Sequence, residues 1–223
     1  FRPVNFVNAP DGTLYILDMY RETIEHPYSI PVEIKKFLDL TSGYKRGRVY
    51  RLVSPNMRRQ QTVRIGELDD KRLVAQLASD NGWNRETAQR LIWERQNKSV
   101  VVLLDKLLTS TDKPLGRLHA LYSLHGLKAL TAEHIRISLG DKHPRVRAHA
   151  IRLSESLINE APDLLDDLSQ LTDDTSEHVR IQLAFSLGES REPRAMKALT
   201  RLARRTDNSR EVSTALLSSA GSI

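Results

Sequence analysis

Two periods divide the chain. Up to about residue 53, apolar and polar positions alternate in short runs. "VNFV" (4–7), "TLYILD" (13–18) and "GRVYRLV" (47–53) each have the alternation that a strand places on opposite faces. "APDG" separates the first two, a turn signal in which Gly12 takes positive φ at low cost. A longer stretch separates the second from the third. Its Pro27 and Pro31 exclude a central strand, and "VEIKKFLDL" after Pro31 predicts a short helix. Three strands bury too little apolar surface to stand alone. The pattern therefore predicts that they belong to a larger sheet.

From about residue 67 the period becomes helical. "ELDDKRLVAQLAS" places Leu68, Leu73, Val74 and Leu77 on one stripe. The chain then repeats itself. "DKHPRVRAHAIRLSESL" (141–157) and "DDTSEHVRIQLAFSLGES" (173–190) align on Val-Arg. The same frame fits 112–126 one residue shorter, 84–94 less well, and 207–221 with Ser213 in the Arg place. The marker positions are 85, 117, 147, 180 and 213, spaced by 32, 30, 33 and 33 residues. A second apolar-periodic run follows each of the first four, at 99–110, 131–140, 162–171 and 193–205. Helices that each carry one apolar stripe, recurring every ~30 residues, bury that stripe only by stacking. The predicted fold is mainly α: an α-solenoid of about four helix pairs, preceded by a small β remnant. Residues 1–53 form the β piece with its loop and helix insertion. Residues 54–82 form a linker and capping helix, and 83–223 the repeats.

The motif D-x4-V-R-x2-A-A-x2-L-G is similar to the HEAT repeat, most closely over residues 174–188. The resemblance implies that its Asp and Arg are structural, forming a buried polar ladder between repeats. Asp141 with Arg147 and Asp174 with Arg180 would be rungs, and Asp112 with Arg117 a shorter-spaced one. The string "RPV…PDGTLYILDMY…GRVYRL" resembles the last blade of a six-bladed propeller of the soluble quinoprotein glucose/sorbosone dehydrogenase type. With "DMYRETIEHPYSIP" and "LDLTSGYKRGRVYRLV" it resembles more closely the large exported proteins known as predicted membrane-bound dehydrogenases. Those run from propeller to HEAT array to a haem c domain. This resemblance implies a dehydrogenase-like parent in the periplasm or cell envelope, with pyrroloquinoline quinone, calcium and haem c as its cofactors. It also implies that this chain is a middle piece, holding no cofactor and without turnover of its own.

Composition changes this picture little. No Cys is present, which excludes disulfides, thiolate metal sites and covalent haem attachment within these residues. No apolar run approaches the ~20 residues that span a bilayer. The net charge is +6, and much of the excess lies between Lys45 and Arg72. The candidate chemistry gathers after the second strand, where Asp18, Arg21, Glu22, Glu25 and His26 fall within nine residues. Carboxylates and a His at that density can act as acid/base groups or hard-metal ligands, or as loop charges and caps. Arg2 stands near the place of an arginine that faces the quinone in the resembled sugar dehydrogenases, although its spacing to "PDG" is about two residues longer.

Two partner classes remain open. A solenoid can dock proteins or neighbouring domains of its parent, or it can grip nucleic acid through aligned Lys and Arg. Here Asp163, Asp166 and Asp167 in one second helix precede Arg194, Lys197, Arg201, Arg204 and Arg205 in the next. Acid beside base interrupts a phosphate-binding stripe, so the pattern favours protein docking over nucleic acid.

Overall fold

The computed structural model of the chain describes residues 1–58 and 61–220. Positions 59 and 60, inside the basic Lys45–Arg72 segment, and the end of the last repeat at 221–223 lie outside the described residues. The chain forms two compact units, Phe1–Ile65 with Asp80–Asn84, and Gly66–Ser79 with Arg85 onward.

In the first unit, β1 (Pro3–Asn8), β2 (Leu14–Asp18) and β3 (Arg48–Leu52) make an antiparallel sheet in the order β1-β2-β3. The register pairs Phe6 with Ile16 and Ile16 with Tyr50, and on the alternate positions Asn5 with Leu17 and Leu17 with Val49. The turn between β1 and β2 has Gly12 at φ 80°, with its N–H on the Ala9 carbonyl. Asp11 accepts from both the N–H and the hydroxyl of Thr13, and Asn81 donates to the carbonyls of Ala9 and Pro10. The helix expected after Pro31 is shorter than its run. Only α1 (Val32–Lys35) forms, because none of its residues is buried and a single turn has little to offset nucleation.

The second unit is a stack of helices: α2 (Asp70–Gln76), α3 (Gly82–Arg95) from Arg85 on, α4 (Val101–Ser110), α5 (Pro114–Gly126), α6 (Ala132–Leu139), α7 (Pro144–Ser154), α8 (Leu164–Gln170), α9 (Glu177–Gly188), α10 (Pro193–Ala203) and α11 (Arg210–Ala220). Thr131 caps α6 in a reciprocal box with His134, and proline opens α5, α7 and α10 at a position where the missing N–H costs nothing. The marker residues sit in α3, α5, α7, α9 and α11, and α5, α7, α9 and α11 pack side by side in series. Leu121, Leu124, Ile151 and Leu183 from these helices, with Leu104, Ile135, Leu164 and Leu168 from the others, are fully buried. The mainly α solenoid is therefore what the repeat frame predicts. Its pairing differs: α5 and α7 pack more closely on the helix before them, α4 and α6, than on the helix after. No helix among the described residues is long and apolar enough to cross a membrane.

Candidate functional site

The Asp/Arg ladder forms, with partners other than those the spacing suggests. Arg117 donates Nε and Nη2 to the two oxygens of Asp141 at 2.5 and 2.8 Å, 24 residues on. Arg147 does the same to Asp174 at 2.7 and 2.8 Å, 27 residues on. Each arginine thus reaches the next repeat's aspartate. Within its own repeat it bonds backbone six residues upstream: Arg85 to the Ser79 carbonyl, Arg117 to Thr111, Arg147 to Asp141 and Arg180 to Asp174. The expected side-chain pairs Asp141–Arg147 and Asp174–Arg180 are therefore replaced by carbonyl bonds. Asp141 and Asp174 each also turn one oxygen to the N–H two residues on, of His143 and Ser176, in the turn that precedes the helix. Asp112 is not a rung. It is exposed, and Thr111 holds the equivalent place, its hydroxyl accepting from the Lys113 N–H. Burial alone would push the Asp141 carboxyl up, but the Arg117 bonds and the His143 N–H hold it below the usual carboxylate range.

The ladder stops at Arg180. Its Nε is buried with no partner, while Asp207, 27 residues on, is held instead by both Nε and Nη2 of Arg205.

The residues expected to carry chemistry do not converge. Asp18 is buried at the end of β2 and accepts from the N–H groups of Arg2 and Tyr20 at 2.6 and 2.9 Å. Arg21 donates to the Leu40 carbonyl at 2.8 Å. His26 caps the single turn Pro27–Ser29, its Nδ1 accepting from Tyr28, and its ring stacks on the Tyr28 ring. Glu25 accepts from the Ile24 N–H, Glu22 is exposed, and the exposed Arg2 joins the sheet through its backbone. Four of the five are thus engaged with backbone groups at separate points. Among the described residues no three His, Cys, Asp or Glu side chains gather as a metal set.

The acids and bases of α6, α8 and α10 pair across repeats. Arg136 bonds Asp163 and Asp167; Arg194 bonds Asp166 at 2.9 Å; Arg201 and Arg205 both reach Asp173. His134 reaches Asp105 on α4 at 3.0 Å. The alternation of sign is legible in the sequence, whereas these pairs and the role of Asp173 are not. The available signal was complementary charge offset by one repeat, 27 to 32 residues.

On α5 and α7, imidazoles bridge to the preceding marker helix. His119 Nδ1 meets Gln89 Oε1, and His149 Nδ1 meets the Tyr122 hydroxyl at 2.8 Å. Burial, with help from the Arg85 charge, pushes His119 down to about 4. The unfolded ring titrates near 6.5, so the unfolded chain binds the extra proton between those values and the fold favours the neutral ring. This contribution is complete above pH ~6.5 and is lost as pH falls toward 4. A shift of this size is about 3 kcal/mol, reduced by solvent screening of a half-buried ring to about 1–2 kcal/mol. His119→Gln is expected to flatten the melting-temperature profile between pH 6.5 and 4 relative to the wild type. Parallel profiles would show that another group carries the acid sensitivity.

Residues 131–220 match a family model of HEAT repeats, and residues 1–56 match a domain of unknown function, DUF7133. No curated protein and no solved structure matches the chain. The helical region is HEAT-like, a class of repeat that mediates protein interactions.

Proposed function

We propose that the chain is a non-catalytic docking and spacer module of a larger exported, dehydrogenase-like redox protein, with its HEAT stack holding a protein partner or a neighbouring domain. The observation that carries the docking reading is the cross-repeat pairing of α6, α8 and α10. Each of Arg136, Arg194, Arg201 and Arg205 meets an aspartate of an adjacent repeat or loop. A face on which these four cations are compensated in this way offers fewer free charges to displace counterions from a phosphate backbone.

The parent reading rests on the first unit. Its sheet is apolar on both faces, with Phe6 58% exposed on one and Val49 66% exposed on the other. A sheet of this composition calls for a covering layer on each side, as a blade has within a propeller. Pyrroloquinoline quinone, calcium and haem c would belong to the rest of that parent. The residues of this chain do not fit a quinone or calcium site by themselves, since Asp18, Arg21 and His26 are bound to loop backbone. A Cys-x-x-Cys-His downstream in the parent gene is the expected signature, and its absence would remove the redox part of the proposal.

Nucleic acid is the competing partner class, and a titration separates the two. Labelled duplex DNA is followed by fluorescence anisotropy at ~50 and ~150 mM salt, with wild type and with Arg201, Arg204 and Arg205 changed to Glu. Weak binding that disappears at the higher salt, in both proteins alike, is the expected result. Sub-micromolar affinity at the higher salt that is lost in the triple variant would overturn docking in favour of DNA.

A further inference from the structure

Resting on the docking reading, we infer that the cleft between α7 and α9 receives an acidic, apolar-bearing peptide segment of a protein partner. The cleft has a volume of about 210 Å³. α7 contributes Arg145, His149 and Arg152 at i, i+4 and i+7, one face of the helix. α9 contributes His178, Ile181 and Phe185, also along one face, with Phe185 43% exposed.

The charges here differ from those of the paired arginines of the stack. Arg117 and Arg147 are buried against aspartates, and Arg136, Arg194, Arg201 and Arg205 are paired with aspartates near the surface. Arg145 and Arg152 have no carboxylate partner among the described residues. Arg145 is hydrogen-bonded instead to a ring nitrogen, His178 Nε2, at 3.0 Å, which supplies no carboxylate counter-charge. Glu155, one turn beyond Arg152, is turned to Ser186 and Gln182 on α9. Two guanidiniums without counter-charge beside an open apolar floor call for a ligand that is anionic and apolar within a few ångströms. A carboxylate takes a guanidinium in a bidentate bond, and a neighbouring Leu or Phe side chain covers Phe185 and Ile181.

The spacing narrows the ligand further. Arg145 and Arg152 are about 10 Å apart along α7, at 1.5 Å per residue. An extended, polyproline-II-like segment advances about 3.1 Å per residue and returns to the same side every third residue. Acidic residues three apart therefore meet both arginines, while one of the two side chains between them lies toward α9. This is recognition of a preformed extended segment by charge and an apolar pocket together.

The probe is the fluorescein-labelled peptide Glu-Leu-Pro-Glu-Leu-Pro-Glu, titrated with the full chain. Saturable binding is expected, weakened ~10-fold when its three Glu become Gln and by a similar factor in the double variant Arg145→Gln/Arg152→Gln. Replacing the two Leu by Ser, or Phe185 by Ala in the protein, is expected to weaken binding several-fold. Both arginines are exposed and form no ion pair among the described residues, so the double variant should melt close to the wild type, which separates a binding loss from unfolding. The inference is overturned by absence of saturable binding, by equal affinity for the Gln peptide, or by a double variant that binds normally. It is also overturned if inorganic phosphate or phosphatidylserine vesicles bind more tightly than the peptide. None of these outcomes touches the DNA titration, so the general docking reading stands or falls separately.

Discussion

Arg147→Ala is expected to lower the stability of the helical unit by about 3–5 kcal/mol, because it leaves the Asp174 carboxylate buried without its cation. The two side chains are only 15% and 5% exposed, and the bond between them is bidentate. Arg147 also holds the Asp141 carbonyl, so its loss loosens the turn between α6 and α7 as well. In a unit of this size the change corresponds to a drop of roughly 10 °C or more in melting temperature. Arg180→Ala should cost less, since the Arg180 side chain makes only carbonyl bonds and already carries an unpartnered Nε. Arg194→Ala is the surface control. Its pair with Asp166 is 42% and 64% exposed, and such pairs contribute about 0–1 kcal/mol. Melts of the three variants should rank in that order. A melt for Arg147→Ala within a degree of wild type would show that the pair contributes no more than a surface contact.

The second large effect is expected from a single methyl. A Cβ at Gly188 would lie 2.6 Å from Ser219 Cβ and 3.1 Å from its Cα, closer than carbon atoms approach. α11 rests on α9 here, with the buried Ser219 hydroxyl donating to the Ala184 carbonyl at 2.9 Å. Helix propensity favours Ala over Gly by about 1 kcal/mol. Overpacking of this kind costs about 1–3 kcal/mol and can exceed that where backbone must move. The clash is therefore expected to win, and Gly188→Ala to destabilise and to raise amide exchange across α11. Ser219→Gly in the same chain removes the obstructing side chain and should recover part of the loss. Gly66→Ala, where no atom lies within 4 Å of the added carbon, should be close to neutral. A Gly188→Ala protein that melts at or above wild type, with α11 equally protected, would contradict this packing.

The register of the helices was legible because it rests on local terms. The Val-Arg frame places one apolar stripe on each marker helix, and a helix forms over each of the five frames. The three strands appear within a residue or two of their alternating runs for the same reason. The short helix after Pro31 was over-read: its pattern is helical, but no packing surface sustains it beyond Lys35. The group Asp18, Arg21, Glu22, Glu25 and His26 was legible as a density of polar residues and not as a site. Density in sequence does not say whether a side chain turns to a shared centre or to the carbonyl and N–H groups beside it.

What the sequence determined by itself was the repeat, its period and, Asp112 apart, the aspartates and arginines of the ladder, since each recurs at a fixed place in the repeat frame. The arginine's bond to the carbonyl six residues upstream came from the structure, in place of the side-chain pair that the spacing suggests. Only the tertiary structure decided which aspartate each arginine takes. Asp141 is closer to Arg147 in sequence, yet it serves Arg117, and Arg147 reaches Asp174. Tertiary packing also left Arg180 short of a rung and Arg145 and Arg152 without a carboxylate. The reason is physical: a charge pair between stacked helices depends on the offset of one repeat against the next. That offset is set by buried side chains such as Leu121, Ile151 and Leu183, distributed along the whole stack.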